Sequence, residues 1–357
     1  MNYAYKFAAV KGVQANKTYY IAMVPLKMLI KLFPNDVEFV LPEHRAQRQL
    51  NESRIPVICK YINDNRDSYV FSALAASIDG EFEFDENPDY PDTGFLEISM
   101  DARFLINDGQ HRKAAIIEAI ENDETLKNET ISVVFFEDRG LARSQQIFTD
   151  LNKHAVKTSN SLSELYDSRD PIAVATRQSL SNISFFDKYT DKEKDNLGKF
   201  SSNLFTLNVF YKANKRIFKS YSDICEKDIE FLSEYWELVS HNIEPWKDLE
   251  MKTLSKKELR ENYIVTQGVV IQALGIIGEY FFMNPESDKD SILQKLKYIN
   301  WRRNAKEWKL RSIRPDGRII ANDKAVLLTA NVIKKCIGIP LSVDEAFKEE
   351  EFNNSII

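Results

Sequence analysis

Arg103-Phe104-Leu105-Ile106-Asn107-Asp108-Gly109-Gln110-His111-Arg112-Lys113 is the stretch on which the organisation of the chain turns. Its first five residues read as a short strand, and the residues from about Gln110 to Glu121 keep the period of a helix. A short polar junction joins the two. A helix N-terminus has unpaired backbone N–H groups and the positive end of the dipole, and a glycine lets a ligand approach the backbone, so an anion is the natural guest there. Arg112 and Lys113 add charge, and the forked donor set of arginine suits phosphate. His111 can donate or relay a proton, while Asp108 can cap the helix, hold a metal-bound water or act as a base. Spacing alone equally allows a plain N-cap at Asp108, a turn at Gly109 and solvated charges on the first helical turn, and on spacing alone that plainer account carries more weight.

Working outward, Thr130 to Phe136 is strongly β-prone and closes a strand–loop–helix–strand unit. Upstream, Tyr19 to Val24 and Val70 to Ile78 read as strands, Pro25 opens an amphipathic helix through Leu32, and a polar stretch from Glu43 to Arg54 leads into a helix at Val57 to Ile62. Glu81 to Asp101 holds eight acidic residues and no basic one, with two prolines, which predicts an exposed loop or hairpin tip followed by a short strand at Phe95 to Met100. Beyond Glu137 strand signals nearly vanish. Leu141 to Leu151, Leu162 to Tyr166, Pro171 to Leu180, Ile229 to Val239 and Ile264 to Phe282 are helical in period, with Asp187 to Leu197 as the expected flexible connection. The expected organisation is therefore an α/β domain over 1–140 and a mostly helical domain over 141–357, an α+β or α/β fold class.

With 357 residues the chain is long enough for one or two real cores. Its formal net charge of -6 excludes a protein coated in positive charge, so any nucleic-acid surface must be local. Three cysteines, far apart and in no CxxC pair, indicate neither a disulfide framework nor a thiolate zinc site, and point to a reducing, cytoplasmic setting. The most apolar run, Ile264 to Met283, carries Gln267, Gln272, Glu279 and three glycines, which are costly in hydrocarbon; it reads as a buried helix that a neighbour approaches at Gly268, Ala273 and Gly275. No membrane partner and no leader are expected.

DGQHR after a strand resembles the DGQHR-motif proteins, and the rest of the chain resembles one branch of them, the DNA-sulfur-modification-associated DndB family. The stretches that carry this are Gln146 to Asn152 (QIFTDLN), Ser161-Leu162, Leu165-Tyr166-Asp167, Leu204 to Leu207, Gly268 to Gly275 (GVVIQALG), Asn300-Trp301, Glu307-Trp308, Gly317-Arg318 and Leu328-Thr329-Ala330, from about residue 17 to 340. The resemblance implies a DNA-binding transcriptional regulator of the genes that replace a non-bridging phosphate oxygen of DNA by sulfur. Its implied partners are double-stranded DNA at the promoter of the modification operon and other DNA sulfur modification proteins; a symmetric operator would suggest a homodimer. The DGQHR unit further resembles the phosphate-binding element of the ParB and sulfiredoxin superfamily. That likeness implies a ParB-like N-terminal domain in which Gly109, Gln110, His111 and Arg112 face a phosphate, of DNA or of a nucleotide. Asp150 and Asn152, in a helix end that follows the loop in the family, are implied to line the same cleft.

Nucleic-acid binding also has a footing in charge. Trp301 to Arg318 carries Arg302, Arg303, Lys306, Lys309, Arg311, Arg314 and Arg318 against Glu307 and Asp316 only, a positive island on an acidic chain. Trp301 and Trp308, seven apart, would share one face of a helix, as core. Lys212, Lys215 and Arg216 among aromatics, and Arg45 and Arg48 upstream, are further candidates, although charge runs are usually solvated faces. No helix-turn-helix, zinc-ligand or P-loop pattern is present. The rival expectation is a nucleotide-dependent enzyme of the same modification and phage-defence system, an ATPase or DNA nickase that uses the loop with ATP and Mg²⁺ and with Asp108, His111 or Asp150 as catalytic groups. No metal ligand set is assigned.

Overall fold

The computed structural model describes residues 3–33, 50–137, 146–151, 158–198, 201–219, 221 and 223–355. The chain divides into two compact units, Met1–Val156 and Lys157–Ile357.

The first unit is built on a seven-stranded sheet in the order β4-β5-β1-β2-β7-β3-β6. Its strands are β1 (Ala4–Gln14), β2 (Lys17–Pro25), β3 (Leu74–Asp79), β4 (Phe82–Glu86), β5 (Thr93–Ser99), β6 (Arg103–Asp108) and β7 (Thr130–Glu137). β3 runs parallel to β7, and the other neighbouring pairs are antiparallel. Alternation builds the buried face: Phe7 and Ala9 on β1, Ala22 and Val24 on β2, Leu96 and Ile98 on β5, and Ile131, Val133 and Phe135 on β7 point to one side. Helix α1 (Leu29–Leu32), α2 (Ile55–Asp64) and α3 (Gln110–Asn122) bring Leu29, Leu32, Ile62, Ile116, Ala119 and Ile120 into the same core.

The strands expected at β2, β3, β6 and β7 and the helices at α2 and α3 are all present. β1 falls outside the expectation. Its hairpin turn, Ala15-Asn16, takes φ of 48° and 59°, the conformation that Asn-Gly or Asp-Gly normally announces. The acidic stretch also corrects the expectation: Phe82–Glu86 is a paired strand, with Phe82 and Phe84 packed on the ring of Tyr20, and only its turn is loop. After Pro25 a 3₁₀ turn, Leu26–Met28, precedes a helix of one turn rather than the longer one expected.

The second unit is helical. Residues 146–151 form α4, still in the first unit; there follow α5 (Asn160–Tyr166), α6 (Pro171–Ser181), α7 (Ser184–Tyr189), α8 (Leu207–Ile217), α9 (Glu226–Asn242), α10 (Glu244–Glu250), α11 (Lys256–Asn262), α12 (Gly268–Met283), α13 (Lys289–Leu293), α14 (Asp323–Ile337) and α15 (Val343–Asn354). Aromatics centre its core: Phe186, Phe205, Phe210, Trp236 and Trp246 meet edge to face. α12 is buried, as its polar residues and glycines predict, and a Cβ on Gly275 would lie 2.4 Å from the carbonyl oxygen of Ala213 on α8. Among the described residues no helix is long and apolar enough to cross a membrane.

Asp187 to Leu197 is a correction. Asp195 accepts the backbone N–H groups of Asn160 and Ser161 at 2.9 and 2.8 Å, Asp191 accepts those of Glu193 and Lys194, and Thr190 pairs with Phe205, so the segment is tied into the helical unit rather than a free connection. Trp301 and Trp308 correct a second point: they are core, stacked at 5.6 Å, but they sit on irregular backbone around the 3₁₀ turn Lys306–Trp308 and not on a continuous helix.

Candidate functional site

The junction between β6 and α3 is shaped by a β-bulge and a single glycine. Ala75 pairs with Asp108 and Ala76 with Ile106, so Asn107 is the extra residue on β6; it is buried and accepts a hydrogen bond from Ser77 Oγ at 2.9 Å. Gly109 then turns the chain straight into α3 at φ 97°, with Leu74 Cδ2 only 2.4 Å from where a Cβ would stand. Glycine is required there for conformation and for room.

Arg112 and Lys113, just after this turn, are committed inward. Arg112 donates from Nη1 to the carbonyls of Ser72 and Ala73 at 2.6 and 2.9 Å and to Ser72 Oγ, and from Nη2 to Asp108 Oδ2 at 2.5 Å. The guanidinium therefore clamps the entry of β3 to the end of β6. Asp108 does not cap α3, correcting the capping expectation: Gly109 is the N-cap. Lys113 is buried and donates to the carbonyl of Phe33 at 3.0 Å, so its side chain is turned into the core, and burial pulls its pKa below the usual lysine range. His111 Nε2 accepts the backbone N–H of Asn51 at 2.9 Å, which requires the neutral tautomer with its proton on Nδ1. Asn51 in turn caps the 3₁₀ turn Glu52–Arg54, so His111 ties that segment to α3.

Asp150 lies exposed on α4 with its carboxylate on Gln146 Nε2 at 2.6 Å, one turn earlier, and no hydrogen bond or ion pair joins it to the junction among the described residues. Asn152, Arg45 and Arg48 lie outside the described residues. Among the described residues no group of three or more His, Cys, Asp or Glu side chains is placed to hold a metal ion.

In the second unit the basic residues of 301–318 separate into two kinds. Arg311 turns inward: it forms a two-pronged pair with the buried Glu349 at 2.7 and 2.8 Å and lies over the ring of Phe352, so its charge is spent on α15. Arg302, Arg303, Lys309 and Arg314 instead surround a cavity of about 800 Å³ with a single carboxylate, Glu261, and none of the four forms an ion pair among the described residues. Arg318 is exposed, with Asp316 at 3.6 Å.

On α8, Arg216 is held by Gln272 Oε1 at 3.0 Å and Asp323 Oδ1 at 2.5 Å, and Lys215 lies over the ring of Tyr211. Lys212 offsets the half-buried Glu164, whose pKa burial and the nearby Asp195 and Asp170 carboxylates push up to about 7. Of the three α8 cations, Arg216 is thus the one held in an ion pair among the described residues.

The sequence matches the DndB family, described as DNA-sulfur modification-associated, over residues 7–340, nearly the whole chain. The chain belongs to the DndB family. No curated protein and no solved structure matches it. Membership places the protein with the DNA sulfur modification system. In this DndB-family chain the residues that sequence reasoning misses are the silent partners of the motif, Ser72 and Asn51, and Glu261 and Asn262 at the cavity. Each serves through a backbone group or through a position brought close only by the fold, so no local spacing could have marked it.

Proposed function

We propose that this protein is a DNA-binding transcriptional regulator of the DNA phosphorothioate modification genes, gripping the duplex backbone with Arg302, Arg303, Lys309, Arg314 and Arg318. The observation that carries this is four cations lining one cavity, in no ion pair among the described residues, on a chain of net charge -6, in a family tied to DNA sulfur modification. Phosphate contacts of this kind supply sequence-independent affinity through counterion release. The DGQHR junction, Gly109 with Gln110 and His111 at the start of α3, is proposed as a second phosphate contact, with Arg112 and Asp108 holding its shape rather than touching the ligand. A ParB-like ancestry of the first unit, the operator symmetry that would pair two copies, and contact with other proteins of the system belong to the same proposal.

The test is fluorescence anisotropy with the promoter of the modification genes and a scrambled duplex, across a salt series, with and without ATP and Mg²⁺. Wild type is expected to prefer the promoter without nucleotide, and Arg314→Ala together with Arg318→Ala to weaken binding to both duplexes alike. Binding that shows no preference, or that needs ATP and Mg²⁺, would replace the regulator with the nucleotide-dependent enzyme.

A further inference from the structure

The cavity bounded by Arg302, Arg303, Lys309 and Arg314 has a shape that duplex binding does not need. At about 800 Å³ it lies within the range of small-molecule sites, whereas a duplex presents its phosphates on a convex surface. Four cationic side chains line it against Glu261 alone, and among the described residues none of the four is in an ion pair, so an anion is the ligand that relieves their mutual repulsion.

The loop that carries these cations is braced by its backbone. Leu310 donates to the carbonyl of Ile313 at 2.7 Å, Gly317 to that of Arg314 at 2.9 Å and Arg314 to that of Arg318 at 2.8 Å. Arg303 Nη2 reaches the carbonyl of Gly317 at 3.2 Å, and its backbone N–H is held by Asn262 at 2.8 Å. Leu310 sits at φ 62°, a left-handed conformation that a branched apolar residue keeps only when its surroundings impose it; such strain gathers at ligand sites. The same turn gives the cavity an apolar wall from Leu310, Ile313 and Pro315. Cations and apolar side chains lining one cavity match a phosphate joined to a planar ring.

We propose that this cavity binds one nucleotide, its phosphate on Arg303, Lys309 and Arg314 and its base against Leu310, Ile313 and Pro315. The nucleotide is either free or at the end of a nucleic-acid strand. The site goes beyond the regulator reading and does not depend on it, since a free nucleotide can fill it without any duplex.

Isothermal titration of the full chain with deoxyadenosine 5′-monophosphate, deoxyadenosine, inorganic phosphate and a 5′-phosphorylated deoxytetranucleotide tests it. The monophosphate is expected to bind more tightly than inorganic phosphate, and deoxyadenosine not to bind. Arg314→Gln and Lys309→Gln should each weaken the monophosphate by about tenfold or more, the loss that goes with one charge-assisted hydrogen bond, with unchanged thermal melting. Lys227→Gln, on α9, should leave it unaltered. A tetranucleotide that binds more tightly than the monophosphate identifies a strand end as the source, and the reverse a free nucleotide. No binding of either nucleotide, equal affinity in both rim variants, or equal affinity for the monophosphate and inorganic phosphate would overturn the proposal. Duplex affinity, read separately, can survive any of these results.

Discussion

Gly109 shows how much a single position decides in this molecule. An alanine there must take φ 97° and place its Cβ 2.4 Å from Leu74 Cδ2, and the two penalties together cost about 1–3 kcal/mol. Gly109→Ala is expected to lower the unfolding free energy by that amount in urea titration, with the strain falling on the β6–α3 turn. Arg112 is as constrained, because its fork reaches three acceptors from Ser72 and Ala73 and also Asp108. An ammonium cannot reproduce that planar geometry, so Arg112→Lys should lose nearly as much melting temperature as Arg112→Ala. Glu164 makes stability depend on pH. Its pKa of about 7 in the fold, against the ordinary 4.5, means the folded chain keeps a proton that the unfolded chain gives up between those values. Stability is therefore lost as pH rises through that window and is level above it, by about 1 kcal/mol once half exposure is allowed for. Glu164→Gln should match wild type near pH 5 and exceed it near pH 8; an equal difference at both would show that Glu164 titrates normally.

Among the elements, α12 against α8 is the packing that tolerates least change. The obstacle to a Cβ at Gly275 is the backbone carbonyl of Ala213, which no rotamer can move, whereas Gly268 faces Val209 Cγ2 at 3.3 Å, a side chain that can give. Gly275→Ala should cost about 1–3 kcal/mol in spite of the better helix propensity of alanine, and Gly268→Ala much less, a contrast that chemical denaturation resolves. Here the sequence was legible, since an apolar helix with small residues announces close approach. The junction was legible too in its elements, because strand, glycine and helix follow from local pattern. What stayed hidden is where the side chains go. Nothing in DGQHRK separates Arg112 turned onto Ser72 from Arg112 turned toward a ligand, or sends Lys113 into the core beside Phe33. β1 escaped because its positive-φ turn uses Ala15-Asn16, and the cavity because Glu261 and Arg314 are 53 positions apart in sequence, brought together where Asn262 to Ile264 pairs with Trp301 to Arg303.

At the scale of the whole molecule, the two cores do not share residues. One runs from Phe7 to Phe135 and the other from Ala175 to Ile339, each inside its own compact unit. Units of this length bury enough surface to fold alone. The second also closes on itself at its C-terminus, where Arg311 and Lys335 converge on Glu349 and the buried Lys334 pairs with Glu345 of α15. A chain of residues 157–357 is thus expected to melt cooperatively. It holds Arg302, Arg303, Lys309, Arg314 and Arg318, so it should carry most of the duplex affinity and its dependence on salt. If four or five of these neutralise phosphates, the plot of log affinity against log salt has a slope of about -4. Arg318→Ala should then bring that slope about one unit nearer zero, uniformly across sequences. Equal slopes for the full chain and for 157–357 place the backbone contacts in the helical unit; a full chain steeper by one or two units assigns the remainder to the first unit, where the DGQHR junction at the start of α3 is the proposed second phosphate contact.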